Sequence, residues 1–176
     1  MNPLNIPTRG AYALGALACA GLLGYGYVLQ HFQGQEPCPL CLVQRVFFAL
    51  LVLAFLAGAI HAPRRRWNWL YGGLGFVFAL AGGATAARQV WLQHLPADQV
   101  PQCGPDLQFM IQHFPLSRTL SFLVRGSGQC AEVHWRFLGL SIAEWSLLWF
   151  AGLALYAAWL SLRQTGDRPR IAASTR

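Results

Sequence analysis

The chain has 176 residues, of which 55% are hydrophobic and only 11% are charged. A soluble domain carries about 25% charged residues, so a water-exposed globule of this size would have too little polar surface. The aromatic content of 13% excludes a disordered chain. The net charge of +7 comes from thirteen arginines against six acidic residues, and these arginines stand in short runs between long uncharged stretches, unlike the basic surface of a nucleic-acid binder. The composition indicates a membrane protein.

Four stretches of the chain lack Asp, Glu, Lys and Arg and are long enough to cross a membrane. A helix needs about 20 residues to cross a hydrocarbon layer of about 30 Å. None of the stretches shows the two-residue alternation of a barrel strand, and lipid requires each backbone to satisfy its own hydrogen bonds. We therefore predict an all-α membrane protein, a bundle of four transmembrane helices forming one domain over residues 1–162. The predicted spans are residues 11–30, 42–61, 68–91 and 143–162.

The first span is interpreted as a membrane helix and not as a cleaved signal peptide. Its apolar run exceeds the roughly 7–15 residues of a signal peptide, and no small-x-small cleavage site follows it. The surroundings of Cys19 faintly resemble a lipoprotein cleavage site, but the apolar run continues well past it. We expect Cys19 to be a small buried residue, because free cysteine packs like one.

The arginines predict the orientation of the bundle. With four spans, the arginines that precede the first span, lie between the second and third spans, or follow the fourth span all fall on one side. The positive-inside rule makes that side cytoplasmic. Both termini, including a tail over 163–176, are then cytoplasmic, and the loops 31–41 and 92–142 lie on the periplasmic side. The arginines in question are Arg9, Arg64, Arg65, Arg66, Arg163, Arg168, Arg170 and Arg176.

A C-x-x-C motif, Cys38 and Cys41, stands directly before the second span. A bridge across so short a loop removes little entropy from the unfolded chain, so a redox function is favoured over a structural staple. A zinc site usually needs a second close pair, whereas Cys103 and Cys130 are 27 positions apart. A thioredoxin is excluded because no βαβ pattern surrounds the motif. For Cys103 and Cys130, a structural bridge and a second redox pair both remain open.

The residues around this motif predict an activated thiol. Proline favours the first position of a helix, so Pro39 is expected to begin the second helix with Cys38 as its N-cap. Both sulfurs then lie where free N–H groups and the helix dipole stabilise an anion. Arg45 lies one turn beyond Cys41 on the same face, where it is either a cation beside a thiolate or an arginine that extends to the headgroups.

The long outer segment carries a second helical pattern. Apolar residues follow helical spacing within 107–114 and again within 116–123. Neither piece is long enough to span a membrane. We predict a short amphipathic helix in the membrane interface, the alternative being a small helix folded over the bundle.

Two segments resemble a known family. Residues 36–45 (EPCPLCLVQR) and 128–145 (GQCAEVHWRFLGLSIAEW) resemble the two signature regions of the disulfide bond formation protein B (DsbB) family, and the similarity covers nearly the whole chain. The resemblance implies a bacterial inner-membrane thiol:quinone oxidoreductase. Such an enzyme reoxidises the periplasmic dithiol oxidase DsbA and passes the electrons to ubiquinone or menaquinone.

The resemblance also implies a function for each cysteine. Because the four outer cysteines form two groups, the bridges Cys38–Cys41 and Cys103–Cys130 are expected in the resting oxidised protein. Cys103 would form the mixed disulfide with DsbA and free Cys130. Cys130 would then attack Cys38, leaving Cys41 as a thiolate facing the quinone. Arg45 would stabilise both the thiolate and the quinone oxygen.

The family has a second quinone ligand, a histidine that follows the third span. His94 corresponds to it, with Arg88 in the same span as the alternative. Other classes predict different features. An enzyme like vitamin K epoxide reductase has its C-x-x-C motif at the start of its last catalytic span. A haem-b subunit needs histidines that face each other inside the bundle, whereas His31, His61 and His94 lie at span ends. A non-enzymatic membrane scaffold with structural disulfides is the remaining alternative.

Overall fold

The structure is a computed structural model in which four long helices account for most of the described chain. It describes residues 7–34, 38–61, 65–96, 98–100, 115, 126, 128–133 and 135–162. The helices are α1 (Thr8–Gln33), α2 (Pro39–His61), α3 (Arg65–Gln93) and α4 (Ile142–Leu162). Each is long and apolar enough to cross a membrane, and each contains one of the predicted spans. The predicted all-α membrane bundle is confirmed.

The helices pack in chain order. α1 packs against α2, α2 against α3 and α3 against α4, whereas α1 and α4 contact each other only sparsely. The main core lies between the helices and includes the stacked rings of Phe48 and Phe150, whose centroids are 4.2 Å apart. Cys19 lies in this core with no exposed surface. The prediction that it is a buried apolar residue is therefore confirmed.

The two ends of the bundle differ in which helices begin there. At the cysteine end, α1 and α3 end while α2 and α4 begin. At the Asn68 end, α1 and α3 begin while α2 and α4 end. Arg9 joins the helices at the Asn68 end, because its Nε donates a hydrogen bond of 3.0 Å to the carbonyl of Ala59 near the end of α2. Cations favour the C-terminal end of a helix, where carbonyls have no partner within the helix.

A short hairpin that the sequence analysis did not predict precedes α4. Its strands, β1 (Arg136–Phe137) and β2 (Leu140–Ser141), are antiparallel. Gly139 lies in the turn with φ of 83°, a left-handed conformation that glycine adopts without strain. The hairpin brings the chain back to the cysteine end, where α4 begins.

Ser141 and Glu144 form a capping box at the start of α4. The Ser141 hydroxyl accepts a hydrogen bond of 3.3 Å from the Glu144 N–H, and the Glu144 carboxylate accepts one of 2.6 Å from the Ser141 N–H. The same hydroxyl donates a hydrogen bond of 2.8 Å to Gln93 Oε1. The end of α3 and the start of α4 are thus fixed together.

Three predictions concern residues outside the described part of the chain. They are the amphipathic helix within 107–123, the site residue Cys103 and the tail over 163–176. These stay predictions.

Candidate functional site

Cys38 and Cys41 lie at the start of α2, and the local geometry is the one that the sequence predicts. α2 begins at Pro39. The Cys38 carbonyl accepts a hydrogen bond of 3.1 Å from the N–H of Leu42, and the Cys38 sulfur accepts one of 3.3 Å from the N–H of Cys41. Cys38 is therefore the N-cap residue, with its sulfur where an N-cap oxygen normally lies. The predicted position of the motif at the helix N-terminus is confirmed.

Cys130 reaches the same place from the loop before α4. It ends a short 3₁₀ helix, Gly128–Cys130, and has no exposed surface. Its thiol is hydrogen-bonded to Cys38, and the two cysteines belong to one buried cluster with Leu40 and Leu92. Two cysteines that are 92 positions apart in the sequence are therefore in contact at the cysteine end.

Gly126 allows this loop to lie so close to the helices. Its φ is 77°, and a Cβ atom there would lie 2.7 Å from Leu92 and 2.9 Å from Leu40. Both the left-handed backbone and the close approach require glycine. A larger residue would push the loop, and Cys130 with it, away from Cys38.

Cys38 and Cys41 are present as thiols and not as a disulfide in the structure. The hydrogen bonds of Cys38 with Cys130 and with Cys41, together with burial, raise the pKa of the Cys38 thiol above its ordinary value. Cys38 thus keeps its proton. The bridges Cys38–Cys41 and Cys103–Cys130, which are expected in the oxidised protein, stay predictions.

The side chain that contacts both sulfurs of the motif is Gln89 of α3. Its Nε2 lies 3.3 Å from the Cys41 sulfur and 3.4 Å from the Cys38 sulfur. Its Oε1 accepts a hydrogen bond of 2.7 Å from Nε2 of Gln44 in α2. Gln89 and Gln44 are each only 4% exposed.

The sequence analysis did not identify Gln44 and Gln89. The sequence carries one signal for them, which is that both lie inside predicted spans. A polar side chain there is costly to bury without a hydrogen-bonding partner. The sequence does not show that these two amides, which are 45 positions apart, meet at the cysteines.

A cavity of about 380 Å³ lies beside the cysteines at this end of the bundle. Cys38, Cys41, Gln44 and Gln89 line one part of it. Residues of α1 and α4, the two helices that barely touch, line much of the remainder. The apolar residues of that wall include Leu22, Leu23, Leu29, Ile142, Trp145 and Trp149.

Arg45 also lines the cavity, but its hydrogen bonds within the described part of the chain go to α1 and not to a sulfur. Its Nη1 donates a hydrogen bond of 2.6 Å to Gln30 Oε1, and its Nη2 donates one of 3.1 Å to the carbonyl of Gly26. The guanidinium also lies 5.0 Å from the centre of the Tyr27 ring. Arg45 is therefore bound to α1 and does not extend freely to the headgroups.

The two further candidates for quinone ligands, His94 and Arg88, do not line this cavity. His94 is exposed, and its Nδ1 lies 2.8 Å from the carbonyl of Val90. The Arg88 guanidinium lies 4.3 Å from the centre of the Trp91 ring. The residues of this part of α3 that do line the cavity are Gln89 and Gln93.

The geometry is suited to thiol–disulfide exchange, because three sulfurs lie together beside a cavity. Residues 8–160 match the family model for Disulfide bond formation protein DsbB. The chain belongs to this family. The resemblance of its two signature segments is thereby confirmed.

Relatives named Disulfide bond formation protein B are similar over most of their length. One from Hahella chejuensis is 48% identical over 96% of this chain and 99% of its own. One from Azoarcus sp. is 50% identical over 81% of this chain and 85% of its own. One from Xanthomonas campestris pv. campestris is 44% identical over 96% and 98%. As a member of the DsbB family, the protein is a multi-pass membrane oxidoreductase that functions in disulfide bond formation.

Proposed function

We propose that the protein reoxidises a DsbA-like periplasmic thiol oxidase and passes the electrons to a membrane quinone, ubiquinone or menaquinone. Electrons enter at Cys103, pass to Cys130 and reach the Cys38–Cys41 pair beside the cavity. The observation that carries this proposal is the contact between Cys130 and Cys38, since it joins the loop cysteines to the helix cysteines.

In the exchange between the two cysteine pairs, each disulfide bond that forms replaces one that breaks. A thiolate of reduced DsbA attacks Cys103 and forms a mixed disulfide with it. The Cys103–Cys130 bond breaks, and Cys130 is released as a thiolate. The Cys130 sulfur attacks Cys38, the Cys38–Cys41 bond breaks, and its electron pair remains on the Cys41 sulfur. The second thiol of DsbA then attacks the mixed disulfide, so that DsbA leaves oxidised and Cys103 is released as a thiolate. The Cys103 thiolate attacks Cys130, the Cys130–Cys38 bond breaks as the Cys103–Cys130 bridge re-forms, and Cys38 and Cys41 are left reduced. The contact geometry supports attack at Cys38, because Cys130 lies beside that sulfur.

The cavity fits a quinone ring. Its volume of about 380 Å³ lies in the range of small-molecule sites. Its apolar wall suits the ring and tail of a quinone. Arg45 can donate hydrogen bonds to the quinone oxygens, because described residues accept from two of its five N–H groups. Oxidation of the Cys38 and Cys41 thiols to a disulfide releases two electrons and two protons, which a bound quinone accepts. Arg45 and Gln44 would hold its polar oxygens.

The distribution of charge supports the bacterial inner membrane as the location, with both termini cytoplasmic and the cysteines periplasmic. Arg9 lies at the Asn68 end of the bundle, and the arginines between α2 and α3 and after α4 fall on the same side in sequence. Cys38, Cys41 and Cys130 lie at the other end. The positive-inside rule therefore directs the cysteine end to the periplasm, where disulfides persist.

The test is quinone reduction by the purified protein with reduced DsbA as electron donor. We expect quinol to form as DsbA becomes oxidised, with one disulfide made per quinol. The matched control is Cys19→Ala, which removes a cysteine of the main core that does not line the cavity and should retain the wild-type rate. Oxidation of DsbA without quinol formation, or no oxidation of DsbA, would contradict the proposal.

A further inference from the structure

The buried amide of Gln89 makes contacts that an inert core residue does not need. Its Nε2 carries two hydrogens, and two sulfurs lie within hydrogen-bonding distance, Cys41 at 3.3 Å and Cys38 at 3.4 Å. Both hydrogens of the amide are thus directed at the two atoms whose bond forms and breaks. At 4% exposure, water cannot readily take their place.

Gln44 determines which way this amide faces. The Nε2 of Gln44 donates a hydrogen bond of 2.7 Å to Gln89 Oε1. The amide nitrogen of Gln89 could not accept this hydrogen bond, so the oxygen of Gln89 must face Gln44. The Gln89 nitrogen is therefore turned toward the sulfurs. While Cys41 is a thiol, its S–H can donate to the same Oε1 at 3.7 Å. Gln89 thus offers a partner to Cys41 in either protonation state.

We propose that Gln89 is a catalytic residue of the redox pair, donating hydrogen bonds to its sulfurs, and that Gln44 is its positioning residue. This proposal rests on the proposed function for the direction of electron flow. When Cys130 bonds to Cys38 and the Cys38–Cys41 bond breaks, the electron pair that remains on Cys41 makes it an anion. Gln89 donates to that anion.

The hydrogen bonds from Gln89 should change the reduction potential of the Cys38–Cys41 pair. A hydrogen bond to an anionic sulfur is stronger than one to a disulfide sulfur, and an unpaired anion in the interior is costly. Gln89 therefore stabilises the reduced form of the pair relative to its disulfide. The Cys38–Cys41 pair becomes a stronger oxidant, which favours its acceptance of electrons from Cys130.

The test is the reduction potential of the Cys38–Cys41 pair, measured without quinone in protein carrying Cys103→Ser and Cys130→Ser. Equilibration with a dithiol buffer, followed by thiol labelling, gives the potential. Gln89→Met keeps the bulk and removes both donors. We expect the equilibrium constant for reduction to fall about tenfold, which corresponds to a potential about 30 mV more negative for this two-electron couple. Gln44→Met should shift the potential in the same direction by less.

Gln93→Met is the matched control. Gln93 lies one turn further along α3 and lines the same cavity, but its Oε1 accepts from Ser141. Its substitution should leave the potential of the cysteine pair at the wild-type value. If Gln89→Met does not fold, Gln89→Glu keeps the length and the acceptor for Gln44, and should lower the potential further by its negative charge.

An unchanged potential in a folded Gln89 variant would overturn the proposal, as would an equal shift in Gln93→Met. Because quinone is left out, this result is independent of the acceptor. Wild-type protein that fails to reduce quinone contradicts the proposed function, whereas an unshifted potential contradicts the assignment of Gln89.

Discussion

The Asn68 end and the cysteine end of the bundle each bury a carboxamide of α3, but the partners differ. At the Asn68 end, Asn68 is 1% exposed. Its Oδ1 accepts a hydrogen bond of 2.8 Å from the Tyr12 hydroxyl, and its Nδ2 donates one of 2.5 Å to the Leu160 carbonyl. At the cysteine end, Gln89 is bonded to Gln44 and to two sulfurs.

The helices also pack more closely at the Asn68 end than at the cysteine end. At the Asn68 end, the helices approach so closely that a Cβ on Gly72 would lie 2.7 Å from Ser161, and one on Gly58 would lie 2.7 Å from Tyr12. At the cysteine end, α1 and α4 leave the cavity between them. In the proposed reaction the partners of Asn68, a tyrosine hydroxyl and a backbone carbonyl, exchange no covalent bonds, whereas the sulfurs beside Gln89 exchange theirs. We therefore expect the buried amide to be structural at the Asn68 end and to take part in the chemistry at the cysteine end.

The largest effect is expected from the cysteines themselves. Cys41→Ser should abolish quinone reduction with either DsbA or dithiothreitol as donor, because the Cys38–Cys41 disulfide beside the cavity can no longer form. Cys103→Ser should block only the reaction with DsbA, since a small dithiol can reduce the Cys38–Cys41 pair directly. Steady-state quinone reduction with each donor measures both. If the two variants lose the dithiothreitol reaction equally, the proposed order of the relay is wrong.

Arg45 should have the next largest effect. Arg45→Met keeps much of the bulk and removes the hydrogen bonds to Gln30 and Gly26 as well as the free donors. Loss of a charged donor costs about 1.5–3 kcal/mol, so the KM for quinone should rise about tenfold. Arg45→Lys keeps the charge without the planar group and should be intermediate. The measurement is kinetics against quinone concentration, and an unchanged KM in Arg45→Met would exclude Arg45 from the quinone site.

Asn68→Leu sharpens the contrast between the two ends. It removes the donor to the Leu160 carbonyl and the side-chain acceptor of the Tyr12 hydroxyl, whose contact with the backbone carbonyl of residue 68 remains, and we expect a cost of about 1–3 kcal/mol of stability. The temperature of unfolding should fall, while the potential of the Cys38–Cys41 pair in the folded protein stays unchanged. Thermal unfolding and dithiol equilibration on the same sample measure both. A shifted potential would show that the Asn68 end is coupled to the redox site.

The smallest expected effect separates the two sulfurs of the motif. Hydrogen bonds with Cys130 and Cys41 raise the pKa of the Cys38 thiol, and only thiolates react readily with alkylating agents. In fully reduced protein at neutral pH, Cys41 should therefore be alkylated before Cys38. Timed iodoacetamide labelling with peptide mapping measures the order. Faster labelling of Cys38 would mean that its proton is not held as the structure indicates.

Much of the fold follows from the sequence because lipid imposes simple constraints. Long uncharged runs must be helices, and Pro39 marks the start of α2 since proline suits the first helical position. The hairpin before α4 was not predicted, because each strand has only two residues and lacks a periodic signal.

The cysteines could be read from the sequence, whereas the groups around them could not. Cys38 and Cys41 form a local motif, but their contacts with Gln89 and Cys130 join residues from distant parts of the chain. Helical spacing predicts Arg45 either beside the thiolate or extended to the headgroups. Its side chain instead extends to Gln30 of α1, a direction that spacing along one helix does not determine.

The central claim is that the Cys38–Cys41 pair delivers electrons to a quinone in the adjacent cavity. A single turnover without oxygen tests it most directly: Cys103→Ser protein is reduced with a dithiol, freed of it, and mixed with one equivalent of quinone. We expect one quinol and the loss of two thiols, which peptide mapping assigns to Cys38 and Cys41. Quinone that stays oxidised, or thiols lost elsewhere in the chain, would contradict the account.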